Sequence, residues 1–410
     1  MGKKLNTDLH YFVKGGFWLY LSNIFSVLRT LGIATILARV LSQDQFGAYF
    51  YILSIFSFTN VFGLPGMGSA ILQSTARGFE GSFKYLNKKV FLWSMLGAVF
   101  LLTFSLYQKF FKGGEYWSIF FILALIFPFY SASTNFIYYL TGKRQFKLRT
   151  VMEAIVNVTC FLTVALALLL RRDVSFIIIA AILPQTILYI FFNIYLIKKA
   201  NKLVDKEAED YGKKLSCTYI IPTIKTQADK ILITNFLGYS SNAVYNIAAS
   251  ASDQVYAFSK IISTLLMPKT AKLSYAEIKN NFKNKILFIF LGFILLSAGV
   301  FIIAPFAVKV LFGEKYLSSV GYLRLIVVFI PVRCLSQIIK SIHESRKNMK
   351  VLSISSNHVS IFEFILMFIG IYFFHAWGVI IAKIISDVVN LVLQIFHIYN
   401  KKMDELPAIH

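Results

Sequence analysis

Several ionisable side chains of this chain sit inside runs of apolar residues. NIFSVLRTLGIATIL carries Arg29, and TIKTQADKILITNFLG carries Lys225, Asp229 and Lys230. AASASDQVYAFSK carries Asp253 and ends on Lys260, Glu363 lies in IFEFILMF, and Arg333, Lys383 and Asp387 follow the same habit. Charges in such settings are expensive in hydrocarbon and mark function by default. No nucleophile–base or metal-ligand spacing joins them. Their available chemistry is electrostatic: a guanidinium or ammonium can hold an anion, and a carboxylate can balance it or bind a coupling ion. Arginine suits phosphate in particular, through its two-pronged donor fork.

Spacing separates these residues into two groups. Lys225 and Asp229 are four apart, as are Lys383 and Asp387, so each pair can neutralise itself on one helix. Arg29, Lys230 and Arg333 have no acid at helical spacing on their own segment. They are the candidates for lining a wet interior and meeting an anion, with Lys225 and Lys260 beside them. Asp229, Asp253, Glu363, Asp387 and Lys383 are candidates for charge balance or ion coupling. A carboxylate on a neighbouring helix would turn any of the cations into an ordinary internal salt bridge.

The elements that must position these groups are membrane helices. The chain has 410 residues, of which 57% are hydrophobic and only 15% charged, with mean hydropathy +0.66. That is too little charge to cover a soluble protein of this length. A spanning helix needs about 20 mainly apolar residues. Twelve segments qualify, near 17–38, 46–70, 90–110, 116–140, 150–170, 174–197, 216–237, 242–267, 286–308, 318–341, 352–374 and 377–398. Prolines interrupt several of them, which membrane helices tolerate. The reading is an all-α polytopic membrane protein.

The net charge of +23 is a topology signal. Of the 42 Lys and Arg, 27 fall in one alternating set of loops and seven in the other. The basic side is cytoplasmic, and both termini lie there. Nucleic acid is not needed to explain the charge. The N-terminus MGKKLNTDLHYFVKGG lacks the pattern of a cleaved signal, so the first apolar segment is expected to stay as an anchor. Cys160, Cys217 and Cys334 are far apart, the six His are scattered, and no phosphate-loop motif is present. No metal and no cofactor are expected. The outward loops are too short for a catalytic domain.

The two halves read as copies. LARVLSQDQFGAYFYI from Leu37 aligns with ITNFLGYSSNAVYNIA from Ile233, an offset of 196 residues. GEYWS from Gly114 aligns with GEKYLS from Gly313, and KRQFK from Lys143 with RKNMK from Arg346. Six spans per copy is an even number, so the copies are parallel repeats, with a site expected between two six-helix lobes. The divisions are 1–197 for the N-terminal lobe, 198–214 for a cytoplasmic linker and 215–410 for the C-terminal lobe. At the 196 offset Arg29 corresponds to Lys225, so both copies carry a cation in their first helix. FGLPGMGSA, with Gly63, Pro65, Gly66 and Gly68, cannot continue a helix undisturbed; it is a candidate hinge or an ordinary helix end.

ARVLSQDQFGAYFY after the first span, ADKILITNFLG followed by AVYNIA in the second half, and LFGEKY before the tenth span resemble bacterial polysaccharide flippases. These are the O-antigen, Wzx-type members of the multidrug/oligosaccharidyl-lipid/polysaccharide superfamily. The resemblance covers nearly the whole chain. It implies a twelve-helix alternating-access transporter rather than an enzyme. The implied substrate is a polyprenyl-pyrophosphate-linked oligosaccharide moved from the cytoplasmic to the periplasmic leaflet of the bacterial inner membrane. Implied partners are membrane lipids, a glycan polymerase and a chain-length regulator. Arg29 matches the first-helix arginine by location, and Lys230 the basic residue of an Asp-Lys/Arg pair. Two readings compete: a multidrug or cation antiporter of the same superfamily, which would need an acidic cavity, and a membrane glycan polymerase or ligase.

Overall fold

Apolar runs longer than a bilayer is thick leave the backbone no partner but itself, so the chain folds as helices. A computed structural model describes the backbone of residues 2–111, 113–270, 275–345 and 349–399. The helices are α1 (Gly2–Val40), α2 (Gln43–Phe58), α3 (Met67–Ala76), α4 (Ser82–Phe111), α5 (Trp117–Ser133), α6 (Phe136–Gly142) and α7 (Phe146–Leu170). They continue as α8 (Val174–Lys199), α9 (Glu207–Thr270), α10 (Tyr275–Phe312), α11 (Ser319–Ser345), α12 (Met349–Ser353) and α13 (Val359–Tyr399). Among the described residues, nine helical stretches are long and apolar enough to cross a membrane. One of them, Val351–Ile398, is a pair of arms that fold back at His375, where φ is 54°. The long α9 is also two arms, broken at Gly238 with φ 86°. With the arms of Val351–Ile398 counted separately, ten of the twelve expected segments meet the length and apolarity of a span among the described residues; the other two, 216–237 and 242–267, are the arms of α9, helical but less apolar.

The second span departs from its expected bounds. Instead of running to residue 70, it passes from α2 into a short 3-10 turn, Thr59–Gly63, and stops at Leu64, whose backbone is left-handed. Pro65 and Gly66 follow, and α3 starts afresh at Met67. The repeat is visible in these breaks. α1 and α2 are separated at Ser42, which caps α2 by accepting from Gln45 N at 3.2 Å. The break at Gly238 lies 196 residues later, at the offset read from sequence.

Lipid-facing surface is recognisable by side chains that water would not tolerate. Phe288, Leu295, Ile302 and Phe306 of α10 are all at least 71% exposed. They lie on one stripe of the helix, so that face belongs to hydrocarbon.

The described chain divides into two compact units, Met1–Gln227 and Ala228–His410. In the first, α3, α4, α6 and α8 pack around Met67, Ile71, Phe83, Leu86, Phe136 and Tyr189. A buried amide chain fastens the same helices. Asn135 Nδ2 donates to Asn87 Oδ1 at 2.9 Å, and Asn87 Nδ2 donates to Asn193 Oδ1 at 2.9 Å. In the second, the α9 arms meet both arms of α13 around Ile233, Tyr245, Met367, Ile371 and Ile380. The α13 arms approach so closely that Gly370 and Gly378 leave no room for a Cβ on either.

Candidate functional site

Among the described residues, each unit gathers intramembrane charge at a site of its own. In the first unit it forms around Arg29, four residues past Phe25 on α1. The thiol of Cys160 on α7, which donates to Ala181 O at 3.6 Å, lies close to the guanidinium. Tyr49 of α2, Tyr130 of α5 and Tyr189 of α8 are close enough to feel its charge. Among the described residues no carboxylate lies within ion-pairing distance of Arg29. The acid of this region, Glu153, is engaged elsewhere: it accepts from Ser22 Oγ and from Arg149 Nε at 3.3 Å. Tyr189 OH accepts from Gln185 Nε2 at 2.6 Å. One uncompensated guanidinium among neutral phenols is a site of net positive charge whose other groups can donate to an anion without repelling it.

The second unit has a denser arrangement. Asp229, 2% exposed, accepts Lys383 Nζ at 2.6 Å, Tyr245 OH at 2.5 Å and the backbone N–H of Lys230 at 2.8 Å. Lys383 reaches Tyr245 OH as well, at 3.1 Å. Nearby, Arg333 of α11 pairs with Asp253 of α9 at 3.0 Å and stacks its guanidinium 4.1 Å from the ring centre of Tyr256. The Lys260 ammonium lies 5.1 Å from the same ring centre. A pocket of about 440 Å³, counted to its open mouth, is lined by Asp253, Arg333, Lys383 and Asp387, with Tyr245, Ser252 and apolar neighbours around them. Its charges are balanced, two acids against two bases.

These contacts revise the pairings expected from spacing. Lys383 is taken by Asp229 from another helix and not by Asp387 four residues on, and Asp229 spends its oxygens on Lys383 and Tyr245. Arg333, without an acid on its own helix, finds one across the unit. Glu363 accepts Ser386 Oγ at 2.6 Å across the α13 hairpin. Lys225 lies on the first arm of α9 with its own interactions, and Lys230 follows Asp229 there, half-buried. Sequence reasoning missed Tyr245, Tyr256, Tyr49 and Tyr189. A tyrosine in a membrane helix reads as a belt anchor unless its depth and its charged neighbour are known.

Residues 36–321, more than half of the chain, match the family of polysaccharide biosynthesis proteins. The chain belongs to that family. A relative from Klebsiella pneumoniae, an uncharacterized membrane protein in the cps region, is 22% identical over 97% of this chain and 83% of its own length. The fold is similar to that of the lipid II flippase MurJ in an inward closed conformation (TM-score 0.73, 16% identity, 94% of this chain and 87% of that one). It is also similar to the Vibrio cholerae MATE transporter VcmN (TM-score 0.67, 10% identity, 97% and 98%). A third likeness is to a MOP superfamily transporter from Pyrococcus furiosus described by the reverse polarity of its binding pocket (TM-score 0.63, 13% identity, 96% of both chains). With its helices and a membrane-protein relative, this polysaccharide biosynthesis protein is a multi-pass membrane protein.

The glycine-rich break in this family member is a place of close packing. A Cβ on Gly66 would lie 2.5 Å from Ser216 N, and Gly66 N donates to Ser216 Oγ at 3.0 Å. Gly63 and Gly68 abut Ser131 and the Tyr138 ring just as tightly. The start of α9 is thereby pressed onto α3 within the first unit. The stretch before it, expected as a solvated linker, is clamped to the loop between α3 and α4. Arg77 pairs with Asp205, Lys143 with Glu80 at 2.9 Å, and Asn201 Nδ2 donates to Gly78 O at 2.9 Å. Glu209 gathers Lys213 at 2.8 Å, Lys89 at 3.2 Å and the Tyr85 hydroxyl. Hydrogen bonds from Lys213 and then Tyr85 draw the Glu209 carboxyl down to about 2. Burial works to raise the Glu80 carboxyl, but hydrogen bonds from Lys143 and Tyr139 outweigh it and hold it below its ordinary range.

Proposed function

We propose that this protein is a lipid-linked polysaccharide flippase and not an enzyme. Its substrate on this reading is a polyprenyl-pyrophosphate-linked oligosaccharide, the repeat unit of an O-antigen or similar surface polysaccharide. It passes from the cytoplasmic to the outer leaflet of the bacterial inner membrane, with both protein termini cytoplasmic and movement by alternating access. A glycan polymerase and a chain-length regulator would act on the delivered unit. The family, the cps-region relative and the fold shared with a lipid II flippase support this reading. The observation that carries it is Arg29, a guanidinium inside a span with no carboxylate among the described residues to neutralise it and three phenols near enough to feel its charge.

A pyrophosphate diester carries about two negative charges, and an inside-negative potential favours moving each outward by about 2.3 kcal/mol per 100 mV. The potential supplies direction; Arg29 lowers the cost of desolvating the phosphates on the way. Lys225, Lys230, Lys260 and Arg333 are the further cations we assign to the passage. Asp229, Asp253, Glu363, Asp387 and Lys383 balance charge or couple an ion. The antiporter reading draws on the two carboxylates of the second unit's pocket, which would suit a cation; Arg29 would repel one. Replacement of Arg29 by Ala should abolish surface polysaccharide while the protein remains in the membrane, and Lys230→Ala should do the same. Normal glycan display in both variants would end this reading.

A further inference from the structure

The search for a second site leads to the seam between α1 and α7. These helices touch tightly at two places. Near one end Gly15 lies against the Phe146 ring, where a Cβ would come within 2.8 Å; further along, Gly32 lies against the Phe161 ring at the same separation. Between the two contacts the helices stay bridged, by Thr150 Oγ1 to Trp18 O at 2.7 Å and by Ser22 Oγ to Glu153, and along the outside of the seam runs an open furrow of about 820 Å³, counted to its mouth. Its walls are Trp18, Leu21 and Phe25 from α1 and Val151, Ile155 and Val158 from α7, with Ala154 among its lining residues. The hydroxyl of Thr150, which also borders it, is already spent on Trp18 O at 2.7 Å. The surface offered is therefore apolar.

Charge marks both ends. On α7, Lys147, Val151, Ile155 and Val158 recur at helical spacing, and the Lys147 ammonium sits 5.8 Å from the Trp18 ring centre. Lys147 is exposed and forms no ion pair among the described residues. On α1, Trp18, Leu21, Phe25 and Arg29 recur at spacings of three, seven and eleven residues, so the stripe that walls the groove leads to Arg29. The run from Trp18 to Phe25 covers about 10 Å, most of one leaflet's hydrocarbon depth of about 15 Å.

We propose that this seam binds the single isoprenoid chain of a polyprenyl-phosphate-linked substrate, with its phosphate at Lys147 before the head group moves to Arg29. The inference rests on the flippase reading and adds to it that the tail is held by protein rather than left to the bilayer. A polyprenyl phosphate brings one apolar chain and one anionic head, matching one groove and one unpaired cation. A diacyl phospholipid brings two chains. A helix is too thick for a seam between two helices that touch at both its ends.

The test uses the purified full-length protein in lipid nanodiscs and a diazirine-tagged polyprenyl phosphate, with labelled peptides mapped by mass spectrometry. Label should concentrate on residues 18–25 and 151–158, and untagged polyprenyl phosphate should compete where phosphatidylglycerol does not. Ala154→Trp should cut labelling by about tenfold, the loss expected from withdrawing two methylene groups from apolar contact. Leu96→Trp, on the lipid face of α4, should leave it unchanged. Lys147→Glu, at an exposed position, should weaken competition several-fold and carries the test if the tryptophan variant does not fold. Label spread evenly over lipid-facing helices, or equal competition by phosphatidylglycerol, would overturn the proposal. Ala154→Trp cells that display normal polysaccharide would remove the groove and leave the flippase reading standing. Normal display in both Arg29→Ala and Lys230→Ala cells, with labelling unchanged, would do the reverse.

Discussion

Removing Lys383 should expose how much the second unit depends on one buried pair. Asp229 is 2% exposed, so its charge has little access to water and relies on the donors around it. Breaking a buried ion pair by deleting one partner costs roughly 3–5 kcal/mol, because the survivor is left uncompensated. Two features lower the figure here. The Lys383 side chain keeps 31% of its exposure, and Asp229 retains Tyr245 OH at 2.5 Å and Lys230 N–H at 2.8 Å. We therefore expect Lys383→Met to destabilise by about 2–3 kcal/mol. Asp229→Asn leaves the ammonium half-exposed and should cost less, about 1–2 kcal/mol. In the double variant no charge is stranded, and the cycle should show a coupling of about 1.5–3 kcal/mol. Reversible unfolding in mixed detergent micelles, with increasing SDS, measures all four proteins. Additivity within about 0.5 kcal/mol would refute the argument, since it would mean that Asp229 and Lys383 do not stabilise each other.

Gly66→Ala forces a Cβ to within 2.5 Å of Ser216 N, a backbone atom that cannot swing aside. We expect a loss of about 1–3 kcal/mol in the same unfolding assay, and no loss would mean that α9 does not bear on α3 as described. The clamp on residues 200–213 should open in acid. Because the Glu209 carboxyl is drawn from 4.5 down to about 2, its contribution is complete above the unfolded value and fades as pH falls between these limits. Limited proteolysis at residues 200–206 should accelerate across that window, and Glu209→Gln should be cleaved readily already at neutral pH. Arg29→Lys should retain more polysaccharide display than Arg29→Ala but less than the parent, because a point charge replaces a two-pronged donor. Display by Arg29→Lys equal to the parent's would show that the fork geometry is irrelevant, and display no better than that of Arg29→Ala would show that charge alone contributes nothing.

Most of the spans were legible because they rest on length and apolarity, which the bilayer enforces on every helix separately; the charged arms of α9 fall short of that apolarity. The Ser42 and Gly238 breaks were legible as well, since a repeated pattern carries its interruptions with it. The pairing of charges was not. Lys383 and Asp387 look like partners because helical spacing is the only distance a sequence displays, whereas Asp229 comes to Lys383 from 154 residues away through the packing of α9 on α13. Gly66 shows the same limit in another form. A glycine beside a proline suggests flexibility, yet the space this one leaves empty is occupied by the backbone of Ser216. The tyrosines near Arg29 were invisible for a third reason: they come from α2, α5 and α8, and only the fold makes them neighbours.

The contrast between the two polar sites bears on how a carrier can release what it binds. A second fixed guanidinium beside Arg29 would tighten its hold on a phosphate but would deepen the well from which the head group must escape. Tyr49, Tyr130 and Tyr189 avoid this. As neutral donors they can replace part of the water a phosphate loses, without adding net charge that persists once it has left. In the second unit the charges are compensated within the protein, Lys383 by Asp229 and Arg333 by Asp253, so that site adds no net attraction for an anion. On the proposed flippase reading the first unit would supply attraction for the anion and the second a charge-balanced polar surface. Converting Tyr49 to Lys should then strengthen phosphate binding while slowing transport. A variant that binds more tightly and also transports faster would show that release does not limit the cycle.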